Sequence, residues 1–386
     1  MTASLVEKIA DAVLYEGYIL YPYRPSAVKN QQRWNFGALC PQSYSEAHAG
    51  TEASAMQTEC LIQSSSITTL DVKVRFLHLV TREVGRRIAD CQLPIADCGH
   101  REIQPSLSTS HFLAVPSLEV NGQLFQTWQE AIERDVSMPA IRLDKPGGQP
   151  SRQTFSFPHS ETVEPLRDES SGETVGVIVR SQQAIEGVIE VQIVDLGFQS
   201  EEVVSTSTES INRQSPLGLR QRPLKVTVRI LNQTPLENAD QRSRDEALMR
   251  SFVSTHTILN VRDGEFVSQL DPPEVLRVAA AGCCNVATYP VMVGEEGVRD
   301  CMLSSPIILY DYPQIAPESV GNLYDGTEID EILTLRIMTL TDEEKREMRG
   351  VDERARQILE RTETLPMEQL MKMHGAMRSV KPKEGQ

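Results

Sequence analysis

Alternation of apolar and polar residues is the feature that most restricts how this chain can fold. Over residues 70–76 apolar side chains alternate with charged ones, and the pattern recurs at 174–180, 188–196 and 224–231. A period of two is typical of strands with one face in the core. The pair Asn121-Gly122 separates two further short apolar segments and indicates a hairpin. The sequence therefore predicts antiparallel sheet in its N-terminal half.

Helical signals lie near both ends of the chain and in its second half. Apolar residues at helical spacing predict helices over 4–15 and 245–259, and Pro272-Pro273 suits the first turn of another. Thr341 and Glu344 have the spacing of a capping box that opens a C-terminal helix. Gly350 is expected to kink or split that helix. A last, methionine-rich helix is expected from residue 366.

We expect an α+β fold with a β-rich, largely antiparallel N-terminal half, a mixed α/β C-terminal half and a helical C-terminal tail. Strands are also expected over 285–293 and 306–310, and loops over 144–153 and 159–173. Four regions follow. They are an N-terminal helix with a tyrosine-rich extended segment (1–50), a β-rich domain (51–235), a mixed region with an acidic loop (236–340) and a helical tail (341–386).

Composition narrows the functional classes. The net charge of the 386 residues is -16, which opposes a phosphate backbone, so nucleic acid is not an expected partner. No run approaches the ~18 apolar residues of a spanning helix, and Glu7 and Asp11 interrupt the only apolar segment near the N-terminus. We therefore expect a cytoplasmic protein without membrane insertion. The 7 cysteines suit reduced thiols better than a disulfide framework.

Two segments are candidate partner-binding surfaces. The first, at 15–34, contains four tyrosines, and its prolines prevent a continuous helix. Its candidate contact residues are Tyr18, Tyr21, Tyr23, Arg24, Lys29, Arg33 and Trp34. An ordinary strand and loop packed on the core is the alternative interpretation.

The second surface is an acidic loop over 311–331, with six carboxylates and no Lys or Arg. Its candidate contact residues are Asp311, Tyr312, Glu318, Asp325 and Glu328. Paired carboxylates could also serve acid–base chemistry or a hard cation, although the spacing matches no calcium loop. Because the first surface is cationic, we hypothesise that the two segments meet.

No catalytic signature is present. The chain has no phosphate-binding GxxxxGK[ST] loop, GxGxxG turn, GxSxG elbow or HExxH helix, so no catalytic residue or cofactor is predicted. Cys91, Cys98 and His100 could supply soft and imidazole metal ligands. Their six-residue gap is not a CxxC knuckle and no second pair matches it, so loop thiols and a surface histidine are the alternative.

Several long segments carry a resemblance to a known family. They are LYEGYILYPYRPSAVKNQQRW, MQTECL, STHTIL followed by GEFVS, SSPIILYDYPQIAPES, DGTEIDEILTLRI and LTDEEKREMR. The chain resembles uncharacterised bacterial proteins encoded alongside nickel-iron hydrogenase structural and maturation genes. The likeness is densest at 14–34 and 300–349. The polar stretch at 199–222 and Cys40, Cys283 and Cys284 depart from that group.

The resemblance implies association with a nickel-iron hydrogenase system, and it supplies no catalytic residues. We therefore expect a non-catalytic accessory, assembly or maturation partner of a hydrogenase subunit or maturation factor. The alternative is a metal-handling or hydrolytic maturation enzyme that uses Cys60, Cys91, Cys98 or His100 with carboxylates of the acidic loop. The sequence leaves open which subunit is bound, whether binding is transient, and whether the chain forms a homo-oligomer.

Overall fold

One 33-residue strand, β1 (Ala55–Arg87), organises the fold. The computed structural model describes residues 2–15, 18, 35–88, 112–197, 222–314, 334–350, 353–366 and 368. In this part of the chain, eleven strands including β1 form one sheet and two strands form a separate hairpin. All the strand pairs are antiparallel. The predicted β-rich, antiparallel α+β fold is confirmed.

The remaining strands follow in chain order. They are β2 (Phe112–Val115), β3 (Ser117–Val120), β4 (Gln123–Gln126), β5 (Trp128–Arg142), β6 (Ser151–Phe157), β7 (Ser160–Arg167), β8 (Thr174–Gln182), β9 (Ile185–Asp195), β10 (Arg222–Asn232), β11 (Val253–Phe266), β12 (Tyr289–Met292) and β13 (Cys301–Ser305).

The α-helices with defined bounds are short. They are α1 (Thr2–Leu14), α2 (Gln42–Ala47), α3 (Arg244–Leu248), α4 (Arg277–Ala281), α5 (Asp342–Arg349) and α6 (Glu353–Thr364). Two 3-10 turns, Ala239–Gln241 and Glu274–Leu276, and a helical stretch over 334–338 complete the described helices. Within the described ranges, no helix has both the length and the apolar character needed to cross a bilayer.

Successive partners line both edges of β1. Along one edge β1 pairs with β10, β5 and β2, and along the other with β11 and β8. The sheet continues from β10 to β9 and β6, and from β11 to β13 and β12. Because β10 precedes residue 235 and β11 follows it, β1 joins strands from both halves of the chain.

The main core lies on the face of β1 that carries Leu70, Val72, Val74 and Phe76, all at most 1% exposed. The Phe76 ring lies 4.8 Å from that of Phe252, a separation at which aromatic pairs add stability beyond their buried area. On the opposite face, α1 packs its apolar side against β11, β12 and β13. The alternation of residues 70–76 thus separates two layers, as strand geometry requires.

Most strands expected from alternation are confirmed as β8, β9 and β10, and the Asn121-Gly122 hairpin is confirmed as β3–β4. Asn121 and Gly122 both have positive φ, as a two-residue hairpin turn of type I′ requires. The N-terminal helix and the helix opened by Thr341 are also confirmed. The second of these ends at Arg349, and Gly350 separates it from α6.

Two predicted elements are wrong in type or place. The expected helix over 245–259 stops at Leu248, and the chain enters β11 at Val253. A capping box at Ser243 opens that short helix, but the β-branched residues that follow favour a strand. The strand expected at 306–310 lies instead at Cys301–Ser305.

Buried hydroxyls explain the displaced strand. Ser304 Oγ lies 2.7 Å from both Thr58 Oγ1 and Thr288 Oγ1. Serines that look polar in the sequence are therefore satisfied inside the sheet, while the apolar run after them leaves it. The loops expected at 144–153 and 159–173 are also partly wrong, because β6 and β7 lie there with alternate residues exposed.

Candidate binding cleft between the sheet and the C-terminal helices

A cleft of about 530 Å³ lies where the sheet, the β3–β4 hairpin and helices α5 and α6 meet near the end of α1. Among the described residues, four arginines and three glutamates line it: Arg82, Arg180, Arg349, Arg356, Glu130, Glu133 and Glu164. Its less polar wall consists of Tyr15, Tyr18, Leu124, Phe125, Ala131 and Ile178. A concave site with an apolar wall and a few convergent charges is a common form of binding site.

The charged wall is a ladder of arginines and glutamates across four strands, β1, β5, β7 and β8. Glu130 on β5 accepts from Arg82 Nη1 at 3.0 Å and from Arg180 Nε at 2.9 Å. Arg180 Nη1 in turn donates to Glu164 on β7 at 2.7 Å. Arg82 and Arg180 are directly opposite each other in the β1–β8 register, so Glu130 separates two like charges. The ladder holds its charges in fixed positions before any ligand arrives.

Burial and pairing compete at Arg180. Burial opposes its charged form, but the hydrogen bond and charge of Glu164 and those of Glu130 outweigh this and raise the pKa of the guanidinium. Arg82 is more deeply placed, at 5% exposure. Such buried charges are tolerated only where their donors have partners. The cleft floor is therefore charged but internally neutralised.

The C-terminal helices supply the opposite wall. Arg82 Nη2 donates to the Gly350 carbonyl at 2.9 Å, a contact between residues 268 positions apart. Met348 and Leu359 share an apolar cluster with Trp128 on β5. A charged contact and an apolar one thus both fix the α5–α6 junction against the sheet.

The end of α1 closes the cleft on a third side. Tyr18 is 2% exposed and its hydroxyl donates to the Gln129 carbonyl at 3.1 Å. The rings of Tyr15 and Tyr18 meet edge to face at 6.2 Å. Glu133 connects the cleft to a second network, because it pairs with Arg75 at 3.1 Å. Arg75 also pairs with Asp11 of α1 at 2.6 Å.

Three predicted contact residues fall within the described part of the chain, and they lie in two places. Tyr18 lines the cleft, as above. Asp311 accepts from Ser268 Oγ at 2.5 Å and from the Met292 amide at 2.8 Å. The Tyr312 hydroxyl donates to the Val298 carbonyl at 3.0 Å. Asp311 and Tyr312 therefore lie beside β12, apart from the residues that line the cleft.

The other predicted residues lie outside the described ranges. These are Tyr21, Tyr23, Arg24, Lys29, Arg33, Trp34, Glu318, Asp325, Glu328 and the metal candidates Cys91, Cys98 and His100. The hypothesis that the cationic and acidic segments meet falls on the same residues and stays a prediction.

Most cysteine thiols among the described residues are buried away from solvent. Cys60 is fully buried, and burial raises its pKa. Burial, with the charge of Glu59, also raises the pKa of Cys283 to about 11. Glu59 is occupied, since it accepts from Lys225, Thr227 and the Cys284 amide. Across the described ranges, no three His, Cys, Asp or Glu side chains group in a way that could hold a metal ion.

Sequence inspection missed the ladder residues Arg82, Glu130, Glu164 and Arg180. Each lies in a strand, and its charged partner lies 16 to 50 positions away in the sequence. The only local signal is that a charged residue occurs where a strand is otherwise apolar, as at Arg82 after residues 76–80.

Comparison with known proteins adds two findings. No family model and no curated protein matches the chain. Solved structures with weak likeness include the secretin-domain β-barrel of InvG from the Salmonella SPI-1 injectisome, at 12% identity over 61% of this chain and 71% of that one, with a TM-score of 0.08. An atomic model of the injectisome basal-body proteins InvG, PrgH and PrgK is 13% identical over 61% of this chain and 52% of that one, with a TM-score of 0.08. Similarity at this level does not identify a shared fold.

Proposed function

We propose that this chain is a cytoplasmic, non-catalytic accessory or assembly protein of a nickel-iron hydrogenase system, and that it holds a segment of its partner in the cleft. The link to hydrogenase rests on the resemblance at 14–34 and 300–349. The observation that carries the binding role is the Arg82–Glu130–Arg180–Glu164 ladder beside an apolar wall.

The cleft has the properties of a site for a peptide segment. Its volume of about 530 Å³ lies within the ~300–1,000 Å³ of small binding sites, enough for a few residues. Leu124 and Phe125 offer apolar contact, and the ladder offers alternating charges. Alternating fixed charges favour one register of a bound chain and penalise others. Specific recognition of a partner needs that property.

The two sequence surfaces belong to the same proposal. Segment 15–34 begins at the cleft with Tyr15 and Tyr18, and the acidic loop begins with Asp311 and Tyr312. In this view the partner is a hydrogenase subunit or a maturation factor, and contact extends from the cleft onto these segments.

Mild-salt affinity purification of the tagged protein from its native host tests the proposal, with mass spectrometry and metal analysis of the eluate. The key variant is Glu164→Lys, which reverses an exposed charge of the ladder. Its matched control is Glu173→Lys, because Glu173 is also an exposed partner of an arginine, Arg87 at 2.9 Å, and does not line the cleft.

We expect the wild type and Glu173→Lys to recover a hydrogenase subunit or maturation factor, and Glu164→Lys to lose it. Failure of the wild type to recover any such protein, together with normal hydrogen uptake in a deletion strain, would refute the hydrogenase link. Equal recovery by all three proteins would refute the cleft as the contact. A metal at near one equivalent per chain would favour the metal-handling alternative.

A further inference from the structure

Several exposed apolar side chains lie on β12, at one end of the sheet, and on segments that hydrogen bonds connect to it. Among the described residues, Val278 is 87%, Tyr310 81% and Ile308 72% exposed. Isolated exposed hydrophobics are ordinary, but a group in one region marks an interaction surface more often than chance. We name this group the β12 face: Leu270, Val275, Val278, Tyr289, Ile308 and Tyr310.

Hydrogen bonds hold the segments that carry these side chains together. Asp311 accepts from Ser268 on one side and from Met292 of β12 on the other. Asn285 Nδ2 donates to Gln269 Oε1 at 2.9 Å, which closes the loop that carries Val275 and Val278. The segments that carry Leu270, Tyr289 and Tyr310 are therefore neighbours in space, although they are distant in sequence.

The surface is fixed by its buried neighbours. Leu309 is 4% exposed and packs in the α1 cluster, so Ile308 and Tyr310 on either side of it are left outside. Leu276 and Ala280 anchor the next segment in another apolar cluster, which leaves Val275 and Val278 outside. A preformed surface loses little conformational entropy on binding.

The edge of β12 is closed to strand addition. Its Met292 amide donates to Asp311, and its Met292 carbonyl accepts from the Tyr312 amide at 2.7 Å. Pro290 has no amide hydrogen to offer. Blocked edges of this kind prevent sheet extension. An occupant must therefore bind through side chains, as a helix laid on an apolar strip does.

The negative charge around the β12 face favours a positively charged binding partner. Over 268–314 the chain carries six carboxylates, at 271, 274, 295, 296, 300 and 311, against Arg277 and Arg299. Arg277 is already paired with Glu274 at 2.7 Å. A second copy of this chain would bring a like-charged region against its own, which disfavours association.

We propose that the β12 face docks an amphipathic helix of a partner protein, with an apolar strip on Tyr310, Ile308 and Val278 and flanking Lys or Arg residues toward the acidic region. This inference does not depend on the identity of the hydrogenase partner or on the cleft.

Binding of a synthetic Leu/Lys amphipathic helix to the full chain tests it, measured by fluorescence anisotropy at low and at high salt. A Leu/Glu helix with the same apolar strip is the control for charge. The double variant Val278→Ser/Tyr310→Ser removes the apolar contact without touching a carboxylate. Ile67→Ser/Ile132→Ser removes two other exposed hydrophobics and is the control for loss of apolar surface.

We expect the Leu/Lys helix to bind the wild type and the Ile67/Ile132 variant equally, and the Val278/Tyr310 variant at least tenfold more weakly. The Glu164→Lys cleft variant should bind as the wild type does. Equal affinity for the Val278/Tyr310 variant would overturn the proposal, since the attraction would then be charge alone. Equal binding of the Leu/Glu helix would also overturn the proposal. A dimer that sedimentation velocity detects in the wild type but not in the Val278/Tyr310 variant would overturn it as well, because a second copy would then be the occupant.

Discussion

Two fully buried histidines show how burial and neighbouring charges act on single residues. His256 on β11 lies opposite Arg75 on β1, where Arg75 meets the carboxylates of Asp11, Glu133 and Asp135. Burial, reinforced by Arg75, lowers the pKa of His256 to about 4. Burial and Arg134 likewise lower the pKa of His78 to about 4. Both imidazoles are therefore neutral in the folded protein at neutral pH.

These pKa values predict loss of stability in mild acid. The unfolded chain protonates its histidines below about pH 6.5 while the folded chain does not, so the unfolded state gains protons as the pH falls from 6.5 to 4. Between pH 7.5 and 5, each histidine should cost about 2 kcal/mol of unfolding free energy. Urea unfolding of the wild type, His256→Gln and His78→Gln at both pH values measures this.

The difference between the two pH values is the readout, because each substitution also changes stability at neutral pH. Each variant should show a smaller loss on acidification than the wild type. Variants with the same loss as the wild type would mean that these histidines titrate alike in both states and that carboxylates alone set the acid sensitivity.

At the scale of elements, the cleft depends on how the α5–α6 junction meets the β3–β4 hairpin. Gly350 lies against the backbone of that hairpin, and a Cβ on it would lie 2.6 Å from the Leu124 carbonyl oxygen. The φ of Gly350 is -82°, which any residue can adopt. Glycine is therefore required here for close approach and not for its backbone freedom.

Gly350→Ala should displace the C-terminal helices from the hairpin and lower the unfolding free energy by about 1–3 kcal/mol, as overpacking does. Gly282→Ala is the matched control, because Gly282 ends α4 at φ -83° and its nearest Cβ contact is 3.4 Å. Fluorescence of Trp128, measured with Trp34→Phe, reports the junction through the cluster with Met348. Equal stability of the two alanine variants would show that helices α5 and α6 can move away from the hairpin without lowering the unfolding free energy.

Elements that follow one periodicity could be predicted from the sequence, and those with conflicting signals could not. β8, β9 and β10 are recognisable from partial alternation and many β-branched residues, and the Thr341 capping box fixes the start of α5. β6 and β7 look like loops because they are polar and half-exposed. β13 looks polar because it ends in Ser304 and Ser305, and the Ser304 hydroxyl is satisfied only by tertiary contacts with Thr58 and Thr288. Local pattern carries no information on such partners.

The candidate site was less predictable than the fold. Tyr18 is marked by its aromatic neighbourhood in the sequence, and the structure places it in the cleft wall. The ladder needs the pairing of β1, β5, β7 and β8, and the Arg82–Gly350 contact spans 268 positions. Those relations arise only once the register of the sheet is set, so residue type alone gives no indication of them.

At the scale of the whole molecule, β1 connects both halves of the chain. Ile62 on β1 pairs with Leu224 of β10 on one edge and with Phe266 of β11 on the other. Leu224 and Leu259 belong to the same apolar cluster. Removing the part after residue 235 would expose the edge of β1 that pairs with β11 from Ile62 to Leu77, and removing the part before it would remove β1 itself. The two halves should therefore not be stable apart.

This connection predicts one cooperative unfolding unit from residue 55 to 305. Leu224→Ala on β10 and Leu259→Ala on β11 make a matched pair, because both side chains are fully buried in one core cluster on opposite sides of residue 235. Each should cost about 2–5 kcal/mol and shift the same single transition in differential scanning calorimetry. Two transitions, each lowered by only one variant, would instead show that the regions before and after residue 235 unfold independently and that β1 does not couple them.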